Sequence, residues 1–211
     1  MGAMTVDALQ ILPRRSTKGE PAWEIARLFP SQGEWSEADY LALDTRQMIE
    51  LSEGCLEVLP MPTILHQTIV KVLLKLLDAH VLAHVAGTVL CAPLPVRLWA
   101  GKLREPDIVY LRPERIGNFR GYPTGADLVM EVVSEGKENF EGDFVTKRRE
   151  YAEAKIVEYW IIDPQEQRIT VLKLDGTTYQ VHGTFAPGDQ ATSVLLPGLK
   201  VDVSAVFAIG G

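Results

Sequence analysis

The chain has 211 residues, 46% of them hydrophobic and 23% charged, with two cysteines and a net charge of -7. Those values describe an ordinary chain able to bury a sizeable core, and they exclude a disulfide framework and a coat for nucleic acid built on bulk positive charge. No apolar run reaches the ~18 residues of a membrane span, because His84, Gly87, Pro93 and Pro95 interrupt the longest one, Val81 to Val96.

Residues 1–34, with Pro13, Pro21 and Pro30, read as an N-terminal arm or linker carrying at most a short helix around Trp23 to Phe29, and residues 1–4 look partly like an appended leader. No secretory signal is visible, and with only Cys55 and Cys91, read as small buried hydrophobes, a reducing cytoplasm is the expected location. Residues 35–211 read as a single domain. Ser36, with Asp39 three residues on, predicts a capped helix start, and Gly54 predicts a hairpin between Met48–Leu51 and Leu56–Leu59.

Ile69, Val72, Leu73, Leu76, Leu77, Val81 and Leu82 recur at helical spacing, which predicts the longest helix from Ile64 to a stop near Gly87. Strands are expected at about 88–91, 95–99, 106–111 and 127–133, a second helix over 138–154, then a strand over 158–163 with Arg168–Leu174 as its hairpin partner. Short strands follow in the tail. The class is α+β around a mixed sheet.

Two of these runs each embed an acid among apolar residues, Asp107 in Glu105–Leu111 and Glu131 in Asp127–Val133. A buried carboxylate needs a partner, and two on neighbouring strands could share one divalent cation. The plainer alternative is one solvated acid on each of two edge strands. Asp143, Lys147, Tyr151 and Lys155 repeat every four residues, so Lys147 either faces the acids, where it would stabilise charge on a phosphate, or lies on a solvated face paired with Asp143. Glu53, His66 and Tyr151 are auxiliary candidates beside structural roles. His80 and His84 have zinc spacing, with Cys91 as a conceivable third ligand, but no adjacent Glu of a zincin. Between Arg97 and Arg120 six bases face three acids, a local +3 that leaves -10 for the rest. Arg97, Lys102 and Arg104 are therefore candidate nucleic-acid contacts, unless the cluster is simply solvated surface.

Glu53-Gly54, His66, Pro106-Asp107-Ile108-Val109, Asp127 to Ser134, Lys147 with Tyr151-Ala152-Glu153-Ala154, and Glu158-Tyr159-Trp160-Ile161-Ile162-Asp163-Pro164 together resemble the Uma-two family of restriction endonucleases, within the PD-(D/E)XK nuclease superfamily. The resemblance spans about Trp35 to Leu174. It implies a restriction-endonuclease-like αβββαβ core, with an added N-terminal helix and hairpin, and Mg²⁺-dependent hydrolysis of phosphodiesters in DNA, Mn²⁺ being able to substitute. One or two ions would sit on Asp107, Glu131 and the Val132 carbonyl. Val133 stands where the superfamily has its lysine, and Lys147 matches members in which that lysine lies on the following helix. Relatives tend to show Asp-Gly-Glu at the hairpin where this chain has Glu53-Gly54-Cys55, which makes Glu53 the candidate metal-shell acid there. The alternative is a nuclease fold that binds nucleic acid or a protein without cutting. A homodimer would pair two sites, and the apolar stretch Val201 to Ile209 could cover either a partner or its own sheet.

Overall fold

The computed structural model describes residues 16–19, 23–26, 28–134 and 142–208. The elements in chain order are α1 (Trp23–Ala26), α2 (Glu37–Leu41), β1 (Ile49–Ser52), β2 (Cys55–Val58), α3 (Ile64–His84), β3 (Thr88–Cys91), β4 (Val96–Trp99), β5 (Lys102–Arg104), β6 (Ile108–Leu111) and β7 (Leu128–Val132). A π-helical turn (Gly142–Lys147) then leads into α4 (Arg148–Glu153), followed by β8 (Glu158–Asp163), β9 (Arg168–Asp175), β10 (Thr178–Phe185), β11 (Gln190–Thr192), β12 (Lys200–Asp202) and α5 (Val203–Phe207).

The central sheet has the order β10-β9-β8-β7-β6-β3 and is mixed, since β7 and β8 run parallel while the other neighbours run antiparallel. Every residue of β7 and β8 is buried, which is why both read as continuous apolar runs. Even-numbered Ile108, Tyr110, Leu128, Met130 and Val132 pack under α3. Odd-numbered Val109, Leu111, Val129 and Val133 pack under α4 with Tyr151 and Tyr159. The sequence α3, β3, β6, β7, α4, β8 is the αβββαβ core of a restriction-endonuclease-like fold.

On α3 the buried side chains His66, Ile69, Val70, Leu73, Leu77 and Val81 form one stripe, and the Thr63 hydroxyl caps the start by accepting the His66 N–H at 3.2 Å. The helix ends at His84 rather than at Gly87. Ahead of it, Ser36 and Asp39 form the expected capping box of α2, and the β1–β2 hairpin turns at Glu53 and Gly54, with φ of 51° and 78°.

β5 has no counterpart among the expected strands. It pairs with β1 and β4, so the added hairpin belongs to a second, four-stranded sheet ordered β2-β1-β5-β4. Glu105, Pro106 and Asp107 carry the chain from that sheet into β6, and Asp107 therefore sits in a bend before its strand rather than inside it. The start of the second expected helix, residues 138–141, lies outside the described residues. Cys91 is exposed and Cys55 half-buried, which corrects the reading of both as buried hydrophobes. Among the described residues no helix is long and apolar enough to cross a membrane.

The tail packs back on its own sheet: Val201, Val203 and Val206 are buried in the core under α3. Glu158 pins the segment that leads there. This fully buried carboxylate accepts the Trp160 indole N–H and the Ser193 hydroxyl at 2.6 Å, and the N–H groups of Val194 at 2.6 Å and Leu195 at 2.8 Å. Glu158→Leu strips acceptors from four donors at once and is expected to cost about 3–5 kcal/mol. Urea unfolding at neutral pH measures this, and a loss below about 1 kcal/mol would show that the loop is held by something else.

Candidate active site

Register brings the two acids together. Ile108 lies opposite Met130 and Val109 opposite Val129 in the antiparallel β6–β7 pair, so Asp107, just before Ile108, comes beside the end of β7, where its carboxylate meets the N–H of Val132, next to Glu131. Both line a cavity of about 390 Å³ with Glu50, Glu57, His66, Arg104, Glu105, Val132, Thr146 and Lys147. Asp107 is 8% and Glu131 4% exposed, so neither is the solvated edge acid of the alternative reading.

Each carboxylate is fixed by named donors. The Val132 N–H donates to Asp107 Oδ2 at 2.7 Å, and His66 Nε2 stands 3.3 Å from the same oxygen. Lys147 Nζ lies 2.9 Å from Glu131 Oε1, to which the Tyr151 hydroxyl donates at 2.6 Å. Burial, and then the charge of Glu131, push the Tyr151 phenol well above its ordinary range, which keeps it a donor at neutral pH. The four-residue step from Lys147 to Tyr151 thus puts both on the same carboxylate. Lys155 lies beyond the end of α4 with φ of 60° and does not continue the stripe, while the side chain of Asp143 lies outside the described residues.

Behind the acids sits a buried ion network that spacing did not reveal. Arg104 Nε and Nη2 grip Glu150 at 2.8 and 3.1 Å, and its Nη1 reaches Glu50 at 2.6 Å and also Glu57. Lys102 pairs with Glu150 and donates to the Ser52 hydroxyl at 2.7 Å. Lys102 and Arg104 are 3% and 4% exposed, so they are not the surface phosphate contacts expected of them; their charge is spent on three carboxylates. Arg97 is half-exposed but paired with Glu37 at 2.9 Å. Desolvation works against the ionised form of Glu150, yet the hydrogen bonds and charges of Arg104 and Lys102 outweigh it and hold its carboxyl below the ordinary range.

Glu53 is exposed at the hairpin turn and does not line the cavity. The hairpin acids that do are Glu50, whose Oε1 accepts the Glu105 N–H at 2.8 Å, and Glu57. Glu50 carries the same signal as Asp107 and Glu131, an acid between apolar neighbours, and could have been found by it. His80 and His84 stack on α3 with ring centroids 4.9 Å apart, but among the described residues no group of three His, Cys, Asp or Glu side chains converges to hold a metal unaided, which leaves the zinc reading without its third ligand.

The element order and the mixed central sheet define a protein of the restriction-endonuclease-like fold. A crystal structure of a putative nuclease belonging to DUF820 from Anabaena variabilis ATCC 29413 shares it, with a TM-score of 0.67 at 18% identity over 82% of this chain and 98% of that one. The family model of Uma2, described as a putative restriction endonuclease, matches residues 37–204, and the chain belongs to that family. No curated protein matches.

Proposed function

We propose that this protein is a metal-dependent endonuclease that hydrolyses phosphodiester bonds in DNA, with Mg²⁺, or Mn²⁺ in its place, held by Asp107, Glu131 and the Val132 carbonyl. The observation that supports the reading is that Asp107 and Glu131 line one cavity with the Lys147 ammonium on Glu131. The donor set suits the ion: Mg²⁺ takes hard oxygen ligands, needs only one or two carboxylates, and keeps several waters. When bound, such an ion lowers the pKa of a coordinated water and neutralises charge on a phosphate. The description of the family as a putative restriction endonuclease supports DNA as the substrate.

The protein's own groups do the rest. Lys147, on the cavity wall, is placed to stabilise charge that builds on phosphate oxygens and to hold an attacking water. Tyr151 fixes the orientation of Glu131, and the Val132 N–H with His66 fixes that of Asp107. Holding these groups in place before substrate arrives removes the reorganisation that water would otherwise require.

The test is cleavage of plasmid DNA with Mg²⁺ or Mn²⁺ by the wild type, Asp107→Ala, Glu131→Ala and Lys147→Ala. Metal-dependent nicking is expected, blocked by a chelator and lost in the acid variants. Equal activity in all four proteins would remove the proposal. Absence of cleavage with tight DNA binding would instead establish a nuclease fold that binds without cutting.

A further inference from the structure

We propose that a second hollow, beside the cavity of Asp107 and Glu131, receives an unstacked nucleobase next to the cleaved phosphate; the inference rests on the metal-dependent nuclease reading and deepens it. The protein then acts on single-stranded or locally opened DNA in preference to continuous duplex. The hollow has a volume of about 300 Å³ and shares Pro60, His66 and Ser134 with the acid-lined cavity. His66 thus borders both spaces, and its Nε2 stands 3.3 Å from Asp107 Oδ2. A phosphate held at Asp107 and Glu131 brings its attached nucleoside to the hollow.

The two spaces differ in chemistry. Five carboxylates line the first together with Arg104 and Lys147, whereas among the described residues lining the second there is no carboxylate, lysine or arginine. Such a surface offers a phosphate nothing. Pro60, Met61, Leu65, Val133 and Pro164 supply apolar contact, while Thr63, Ser134 and Gln165 carry hydroxyl and amide groups able to donate to, or accept from, the edge of a base. A largely apolar concavity with a few polar groups suits a flat heteroaromatic ring. Its walls are set before a ligand arrives. The Thr63 hydroxyl caps α3 by accepting the His66 N–H, and the Val133 N–H donates to the Ile162 carbonyl at 2.8 Å. In the turn after β8, Asp163 Oδ1 accepts the N–H groups of Gln165 at 2.9 Å and Glu166 at 3.1 Å. Met61 and Ile64, in the segment that enters α3, are 70% and 88% exposed. Apolar side chains bared beside a strand-cleaving site are of the kind that wedge between bases and hold them apart. A base inside a duplex is paired and stacked, and drawing it out costs energy, least where the strand is already single.

Fluorescence anisotropy with two labelled strands of equal length and charge, one an oligothymidine and the other a backbone without bases, tests the proposal apart from activity. With Ca²⁺ in place of Mg²⁺, wild type is expected to bind the oligothymidine about tenfold more tightly, the scale of contact with one base. Met61→Ala combined with Leu65→Ala should bring the oligothymidine down to the affinity of the baseless strand and leave the latter unchanged. Both side chains are exposed, so circular dichroism and thermal unfolding of the double variant should match wild type. In Mg²⁺ a single strand should be cut about tenfold faster than the same sequence in duplex. Equal affinity of wild type for the two strands, a double variant that weakens both alike, or equal cleavage of single strand and duplex overturns the inference. Failure of the underlying reading looks different: neither form of DNA would be cut in Mg²⁺ or Mn²⁺, or Asp107→Asn and Glu131→Gln would cut both as wild type does.

Discussion

Asp107→Asn is expected to lower metal-dependent cleavage by about 10³-fold while leaving the fold intact, because the several kcal/mol that a bound ion contributes to a charged transition state translate into about a decade per 1.36 kcal/mol. The asparagine keeps an oxygen that can accept the Val132 N–H, now met at 2.7 Å, and so preserves the bend leading into β6. What it loses is the charge that lines the cavity with Glu131. Two measurements separate these effects. Urea unfolding of the metal-free variant should stay within about 1 kcal/mol of wild type, the scale of a single hydrogen bond. The rise in melting temperature that Mn²⁺ produces in the wild type by mass action should shrink or vanish. A variant that cleaves at more than a tenth of the wild-type rate with the Mn²⁺ shift intact would show that Asp107 is a structural acid.

The αβββαβ core was legible in the chain because its evidence is local. The apolar stripe of α3, the uniform runs of β7 and β8, and the acids standing among apolar neighbours need no knowledge of what lies opposite. Glu131 meets Tyr151 of α4, on the side that alternation with Val129 and Val133 requires, whereas Asp107, in the bend before β6, lies against His66 of α3. The small sheet was hidden because it is built from pairings far apart in sequence, Leu51 with Leu103 and Ser52 with Lys102. Lys102-Leu103-Arg104 reads as exposed, since two bases flank one leucine, and it is buried only because Glu50 and Glu150 arrive from other elements to neutralise it. The same non-locality explains Glu53: spacing put an acid on the hairpin, but only the pairing shows that the strand face bearing Glu50, and not the turn, looks into the cavity.

Arg104→Ala should be among the most destabilising single changes in this protein, at about 3–5 kcal/mol, because it leaves Glu50 and Glu150 buried with much of their compensation gone. Those residues are 1% and 5% exposed, and Lys102 alone remains to offset Glu150. Arg104→Lys is not expected to restore the loss, since one ammonium cannot reproduce a guanidinium that grips Glu150 with two nitrogens while a third reaches Glu50. The pH dependence has a definite sign. In the wild type the Glu150 carboxyl lies below its ordinary value of 4.5, so its contribution is fully present above that pH and is lost as the pH falls through the lower, folded value. Without Arg104, desolvation dominates and the penalty on the ionised carboxyl is relieved by acid. The gap between wild type and variant is therefore expected to be widest near neutrality and to narrow below about pH 4.5, which urea unfolding at pH 7 and pH 4 would reveal. Activity adds a readout that stability alone would not move. Glu150 lies three residues after Lys147 on one helical run, so freeing it loosens the ammonium held 2.9 Å from Glu131. The folded fraction of Arg104→Ala is expected to cleave about 10²-fold more slowly than wild type, as small misplacements of catalytic groups do. Wild-type turnover per folded molecule would confine Arg104 to holding the two sheets together.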